Sequence, residues 1–538
     1  LNNAGIISAE SPAELTLGLG GGGLSPTNNG TLSAINGGHL FLEGPTLLYN
    51  NGTISAMGRA SPRGVASDVD IANDSIVGGQ LLTDATGLIR ITSGISALSD
   101  VQVNGNLQIS AGTNFSNVTV NGSVTSDATV TFSNTITING NWDQTPLDHI
   151  TFAGNLLLNG NGTLSFPDAG FGPSASSTLT IASGLTLVGS GVLGGTPVAL
   201  INNGQIVATS STTLYVTAGT SFRNAGLLSA ANGAMQLTGP FGVSSTLDNS
   251  NGTISATGKL EGGYLSEVFI SNYTISGGLL TTDATGKIYL SNTSLSDLKT
   301  SGALISVGPL TLQNDTLGGS LIAGNVSVSG AVTCNAAFTS NGTLSLANNV
   351  IFTASGVTTV QAIVLASTAS YVFAGGALIV TDPSSISTLQ SEIAQGANHA
   401  AGIFSIVPNT VLSLVNNASL PIPFTTFDGA PVGAKAILIT LALLGDTDLS
   451  GTVDANDLNT VLQNLGTTTP NWTLGNFDHA PTIDLTDLND VLNNLGQTFS
   501  TGSAAAPTLP APEPASLSIL GAAGLLFARR SRGHVARC

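Results

Sequence analysis

A chain of 538 residues with 41% hydrophobic but only 8% charged residues is too apolar for intrinsic disorder, which comes with high charge and low hydrophobicity. Its net charge of −18, with no Lys or Arg between Ala436 and Ala528, leaves no basic patch to neutralise phosphates and so excludes nucleic-acid binding. Two cysteines, Cys334 and Cys538, cannot build a disulfide framework, and Cys334 reads as a buried strand residue.

The remaining composition, 67 glycines among abundant Ser, Thr, Asn, Val, Leu and Ile, is that of strands and turns. The chain opens at Leu1 and shows no signal peptide. Its first residues, LNNAGIISA, fall inside a phrase that returns downstream, so a truncated start or a removed leader is expected. The phrase, with variations, is Asn-Asn-Gly, a short apolar run and Ser-Ala. It spans Asn2 to Ala9, Asn28 to Ala34, Asn50 to Ala56, Asn202 to Ala208, Asn224 to Ala230 and Asn251 to Ala256. Closing alanines lie 25 and 22 residues apart in the first set and 22 and 26 in the second, the period of one coil of a β-solenoid. Each Asn-Gly is expected to turn the chain, because both residues tolerate positive φ, and each strand such as Thr53-Ile54-Ser55-Ala56 to stack on its neighbours. A single coil cannot bury its apolar face, whereas a stack can.

A longer repeat lies over the short one. GGQLLTDATGLIRI at Gly78 to Ile91 returns as GGLLTTDATGKIYL at Gly277 to Leu290, about 199 residues later, and VNGSVTS at Val120 to Ser126 is answered by VSGAVTC at Val328 to Cys334. Residues 1–380 therefore read as two tandem copies, about 1–199 and 200–380, of one right-handed parallel β-helix. In architecture and composition this resembles the passengers of autotransporters and haemagglutinin-like adhesins. Separate β-sandwiches are the alternative; an aromatic content of 5% argues against them, since sandwich cores use Trp and Tyr.

Some parallel β-helices are polysaccharide lyases or hydrolases, which need clustered carboxylates, often with Arg or Lys, on one ladder. Up to Thr381 the basic residues are only Arg59, Arg63, Arg90, Arg223, Lys259, Lys287 and Lys299, with His39 and His149. Asp68 with Asp70 is the one close carboxylate pair, and it reads as a solvated turn. Asp84 and Asp283, in the repeated Thr-Asp-Ala-Thr-Gly, read as caps that bond their own backbone. No nucleophile–base pair, phosphate loop or zinc-ligand set is apparent, so no enzyme is expected, and a lyase or hydrolase is the runner-up.

Residues 381–443 form a connecting module in which Ile386, Leu389 and Ile393 suggest a short helix and AKAILITLALL a strand. Residues 444–498 carry the strongest chemical motif. In DTDLSGTVDAND, Asp446, Asp448, Ser450, Asp454 and Asp457 stand at positions 1, 3, 5, 9 and 12 of a calcium loop, with Gly451 at 6 and the Thr452 carbonyl at 7. Without a cation, two carboxylates ~4 Å apart repel by about 4 kcal/mol at an effective dielectric near 20. Leu458, Val461, Leu462 and Leu465 follow at helical spacing and end at Gly466; Leu488, Val491, Leu492, Leu495 and Gly496 repeat them, predicting two helices that bury leucine faces on each other. This duplicated loop–helix resembles the dockerin type I domain. The resemblance implies two calcium loops and a cohesin partner, although no partner-contact residue can be assigned. The second loop departs from the pattern: Asn476, Asp478, Ala480 and Pro481 stand at positions 1, 3, 5 and 6, with Asp484 and Asp487 at 9 and 12. Calcium is expected at the first loop and weakly or not at all at the second. His479 reads as exposed.

After a linker, 499–511, the tail 512–538 runs Pro512-Glu513-Pro514, then an apolar stretch from Ala515 to Ala528, then Arg529, Arg530 and Arg532. As a helix the stretch reaches only about 21 Å against a hydrocarbon core of roughly 30 Å, suiting a transient membrane hold with the arginines left cytoplasmic. The order resembles the PEP-CTERM sorting signal of Gram-negative bacteria, which implies an exosortase-type processing enzyme as a partner. Together these readings predict an exported protein of the cell surface or extracellular matrix, mainly β with a small helical calcium module and a C-terminal hydrophobic helix. Its expected work is structural or adhesive, with exopolysaccharide or cell-surface components as contacts.

Overall fold

The computed structural model describes residues 1–499 apart from 11–13, 21–24, 45–46, 59–65, 95, 196, 241–244, 260–264, 469–470 and 479. The sorting-tail residues Pro512, Glu513, Pro514, Arg529 and Arg530, together with His479, Arg59 and Arg63, lie outside the described residues. No described helix is long and apolar enough to cross a membrane. Two compact units are present: Leu1–Asn416 with Lys435–Leu441, and Asn417–Ala434 with the described residues from Ala442 onward.

In the first unit short strands alternate inward apolar and outward polar residues, and each pairs in parallel with the strand one coil later. Thr31–Ile35, His39–Glu43 and Leu47–Asn50 stack on Thr53–Met57, Ser67–Ala72 and Ser75–Val77 in this way. The result is a parallel β-solenoid of about 17 turns, which at ~4.8 Å per coil is about 80 Å of stacked strand. Parallel pairing at this scale is incompatible with sandwiches, whose sheets are antiparallel. Inward residues form like-on-like ladders: Leu40, Val69, Ile89 and Leu107 lie one above another, as do Leu42, Ile71, Ile91 and Ile109, and all eight are buried. The sparse aromatics are concentrated: Trp142 meets Phe115 and Phe132 edge-on at 5.0 and 4.9 Å, and Phe171 meets Phe132, Phe152 and Phe166.

The Asn-Asn-Gly phrase acts differently from the expectation. Neither its asparagines nor Gly30 and Gly52 have positive φ. In two sets of three coils one asparagine points inward and joins a buried ladder: Asn3 Nδ2 donates to Asn28 Oδ1 at 2.8 Å and Asn28 Nδ2 to Asn50 Oδ1 at 2.7 Å, and Asn202, Asn224 and Asn249 repeat this at 2.8 and 2.7 Å. The glycine is required by close stacking, because a Cβ on Gly52 would run into the Gly30 carbonyl, where Thr53 N–H donates at 2.9 Å. The repeat therefore supplies a vertical seam of hydrogen bonds rather than a left-handed turn.

Parallel pairing runs on to Gly402–Ser405 against Ser370–Phe373. Ala377–Val380 then pairs antiparallel with Ile437–Ala442, the strand expected from AKAILITLALL. Helix α1, Ile386–Gly396, is the helix expected there; Leu389 is fully buried, and Ile386 and Ile393 pack on the solenoid core. A helix and an antiparallel strand thus close the last coils, where an open ladder would leave unpaired backbone.

The second unit holds α2, Ala455–Asn464, and α3, Leu485–Asn494, which pack together. Their halves clasp reciprocally. Val453 N–H donates to Gln497 O at 3.0 Å and Gly496 N–H to Val453 O at 2.8 Å; correspondingly Ile483 N–H donates to Thr467 O at 3.0 Å and Gly466 N–H to Ile483 O at 2.8 Å. The sequence duplication is therefore a structural one.

Candidate metal centre

Each helix of this pair starts with a capping box, which fixes two aspartates before any ion is considered. Asp454 and Asp484 accept the N–H of Asn456 and Thr486, both at 2.7 Å. Asp457 and Asp487 return a carboxylate oxygen to the N–H of Asp454 and Asp484, at 2.8 and 2.9 Å. The other Asp457 oxygen accepts from Thr447 N–H and Oγ1–H at 2.8 and 2.7 Å, drawing the first loop onto the helix.

That loop brings three carboxylates together. Asp446, Asp448 and Asp457 each present an oxygen within 4.8 Å of the others. Asp446 accepts from Ser450 N–H at 3.1 Å and Gly451 N–H at 2.9 Å, and Asp448 from Ser450 N–H at 3.0 Å. Gly451 sits at φ +82°, a conformation only glycine adopts freely. Trp472 Nε1 donates to the Asp446 carbonyl at 2.6 Å, and its ring meets Phe477 edge-on at 4.8 Å, so Asp446 is held from both sides. Asp446 and Asp457 are buried. Burial pushes the Asp446 carboxyl up to about 7, against the Gly451 N–H and reinforced by the charge of Asp457; burial likewise raises Asp457.

Among the described residues no lysine or arginine pairs with these buried carboxylates, which must then take a proton or a cation. The all-oxygen donor set is that of a hard divalent ion, so the cluster can hold a metal. Of the six residues expected at the first loop, the structure gathers these three. Ser450 is exposed and its Oγ donates to the Thr452 carbonyl at 3.2 Å, placing those two oxygens side by side. Asp454 is an exposed cap, outside the gathered group.

The second loop keeps the cap and loses the cluster. Asn476 Nδ2 donates to Ala480 O at 2.7 Å, and Asp478, exposed, accepts Ala480 N–H at 2.8 Å. Asp487 accepts Phe477 N–H at 2.8 Å. Among the described residues no metal-holding group forms there. One expectation needs correction: Val461 and Val491 are buried, but Leu462, Leu465, Leu492 and Leu495 are exposed by 51, 40, 51 and 50%. A pair of ten-residue helices covers one side of each apolar stripe, and the other side is exposed among the described residues.

A second charged group lies in the solenoid, and it corrects the reading of Asp68 and Asp70 as a solvated turn. Both lie on the strand Ser67–Ala72, where the coil above brings Arg90 into register with Asp70 and the coil below brings His39 into register with Asp68. Arg90 Nε donates to Asp70 at 2.7 Å and its terminal nitrogen lies 3.3 Å from Asp68; His39 Nε2 is 2.9 Å from Asp70 and Nδ1 is 3.6 Å from Glu14. The signal was present as near-coil spacings, His39 to Asp70 and Asp70 to Arg90, but ladder register is needed to read it. Asp84 and Asp283 are caps as expected, accepting Thr86 and Thr285 N–H at 2.9 and 2.7 Å.

No protein-family model, curated protein or solved structure matches this chain.

Proposed function

We propose that this is an exported bacterial surface or extracellular-matrix protein whose solenoid, right-handed by the general rule for parallel crossovers, does structural or adhesive work. The observation that carries the reading is the unbroken parallel ladder of about 17 turns, a stiff scaffold that presents outward side chains in straight rows. The segment 444–498 serves as a dockerin-like calcium module. Its support is the reciprocal clasp of the two halves and the carboxylates of Asp446, Asp448 and Asp457, which with Ser450 Oγ, the Thr452 carbonyl and Asp454 make a calcium donor set. The exposed leucine pairs on α2 and α3 are the surface a cohesin-like partner would cover. The tail is a PEP-CTERM-like signal, processed near Pro512-Glu513-Pro514 by an exosortase-type enzyme while Arg529 and Arg530 hold the cytoplasmic side of a membrane. Localisation of the whole natural protein in its producing cell tests this. Wild type is expected at the surface or in the matrix and the R529A/R530A variant in the inner membrane; cytoplasmic wild type would overturn the reading.

The Asp68 and Asp70 carboxylates on one coil and Glu14 two coils below, with His39 on the coil between and Arg90 on the coil above, favour a second reading as a polysaccharide lyase or hydrolase. Release of reducing ends from polysaccharides by wild type, lost in D70N, would move the conclusion to that reading.

A further inference from the structure

The 199-residue duplication lets the same rung of the solenoid be compared in its two copies. In the first, Phe41, Asp70, Arg90 and Gln108 stack outward in register. In the second, the equivalent rung is Gln236, Phe269, Tyr289 and Ile305. The ion pair Asp70–Arg90 is thus replaced by two rings stacked face to face, 4.8 Å apart with 9° between their planes. Both versions support the same coil, so folding alone does not demand the aromatics.

The aromatic rung belongs to a longer outward row. Val192, Tyr215, Gln236, Phe269, Tyr289, Ile305 and Ile322 follow one another in register over seven strands, a line of about 29 Å at ~4.8 Å per step. Val192, Tyr215, Phe269 and Ile322 are exposed by 44, 43, 38 and 46%. Alongside runs a hydroxyl row, Thr217, Thr238, Ser271 and Ser291. Gln236 is tied to it through Thr238 Oγ1 at 3.1 Å. On the other side Glu267 and Lys287 stand in register and cancel, with Tyr289 OH reaching Glu267 at 3.5 Å.

We propose that this row binds a neutral β-linked glucan chain laid along the solenoid axis. Charge selects the class: the row carries no net charge on a protein of net charge −18, so polyanions are repelled and a neutral polymer is not. Area selects a linear ligand. One side chain wide, the row offers on the order of 200 Å², against roughly 800 Å² per partner for a stable protein interface. Chemistry selects the sugar. An all-equatorial pyranose presents C–H groups on both faces to lie over the apolar outer edge of the stacked Phe269–Tyr289 pair and against Tyr215, and hydroxyls at its rim to meet the Thr/Ser row, the amphipathic match that exposed aromatic surface favours.

This rests on the surface-protein reading and names its ligand. The two fail separately, because localisation is read in cells and binding in a gel. The whole protein is run through native gels holding hydroxyethylcellulose, alginate or no polysaccharide. Wild type is expected to be retarded by hydroxyethylcellulose alone. F269S/Y289S should bind about tenfold more weakly or worse, while Tyr49→Ser, an exposed tyrosine off the row, retains binding. F269D/Y289R copies the ion pair of the first copy, should keep the wild-type circular dichroism, and should not bind. Absence of retardation in hydroxyethylcellulose, equal binding by F269D/Y289R, retardation by alginate alone, or self-association lost in that variant would each overturn the proposal.

Discussion

Replacing Asn224 by alanine should open the solenoid locally by about 4 kcal/mol. In the intact ladder Asn224 Oδ1 accepts from Asn202 Nδ2 at 2.8 Å, and Asn224 Nδ2 donates to Asn249 Oδ1 at 2.7 Å and to the Thr253 carbonyl at 3.4 Å. Alanine leaves one Asn202 N–H and the Asn249 carbonyl oxygen without these partners in a buried site, at roughly 1–3 kcal/mol each. Asn202 keeps its bond to Leu227 O at 3.1 Å, which limits the loss to one of its protons. Because a stack of coils unfolds regionally rather than all at once, the assay is amide hydrogen exchange of Leu227–Ala231 and Thr253–Thr257, where about a thousandfold faster exchange is expected. The control has the same bonds in water: Asn121 bridges Asn104 and Asn139, both at 2.8 Å, on the exposed side. Asn121→Ala should cost no more than about 0.5 kcal/mol. Equal acceleration by both substitutions would refute the argument that burial of the ladder, and not the bonding pattern, is what the repeat encodes.

Calcium titrated calorimetrically into the whole protein should report one tight site, removed by D446N and untouched by D484N; two equivalent sites would show that the second loop assembles. D457A should also loosen α2 by about 1 kcal/mol, since it removes half of a capping box as well as a carboxylate of the candidate metal cluster. Asp315 is buried between the N–H groups of Leu298 and Gln313, at 3.0 and 2.8 Å, and burial pushes its carboxyl up to about 6. A carboxyl raised above its unfolded value stabilises fully below about pH 4 and loses that contribution as pH rises through about 6, roughly 3 kcal/mol in all. D315N should flatten the change in denaturation midpoint between about pH 4 and pH 6; an unchanged slope would show that another group governs it. Cys334 is buried, donates to Ala336 O at 3.3 Å, and burial pushes its thiol up to about 11. Mapped alkylation at mildly alkaline pH should therefore leave it unmodified until the solenoid unfolds.

The solenoid was legible because its period is written in the alanines: Ala9, Ala34 and Ala56 stack directly, as do Ala208, Ala230 and Ala256. The role of the asparagines was not, since Asn-Gly signals a turn locally and the buried ladder exists only once coils are stacked. The carboxylates at Asp446, Asp448 and Asp457 could be placed because they lie within one local loop. Asp70, Arg90 and His39 could not, because their meeting depends on how many residues each intervening coil spends in its corners, and those lengths vary. The exposed leucines of α2 and α3 were misplaced for a related reason: a helical stripe states which residues share a face, and only the neighbouring elements decide whether that face is covered.

Both duplications in this chain keep backbone pairing and caps while side chains at other positions change. In the 30-residue repeat of the second unit the caps Asp454/Asp457 and Asp484/Asp487 and the reciprocal backbone clasp persist, while Asp446, Ser450 and Gly451 become Asn476, Ala480 and Pro481. In the solenoid the buried asparagine ladders and the Asp84 and Asp283 caps persist, while Asp70–Arg90 becomes Phe269–Tyr289. Backbone ladders and caps tolerate little because each buried polar group must find its partner within a few tenths of an ångström. An outward rung answers only to solvent and ligand. The change from Asp70–Arg90 to Phe269–Tyr289 therefore leaves the solenoid with one charged and one aromatic rung at equivalent outward positions, supported by the same stacking of coils.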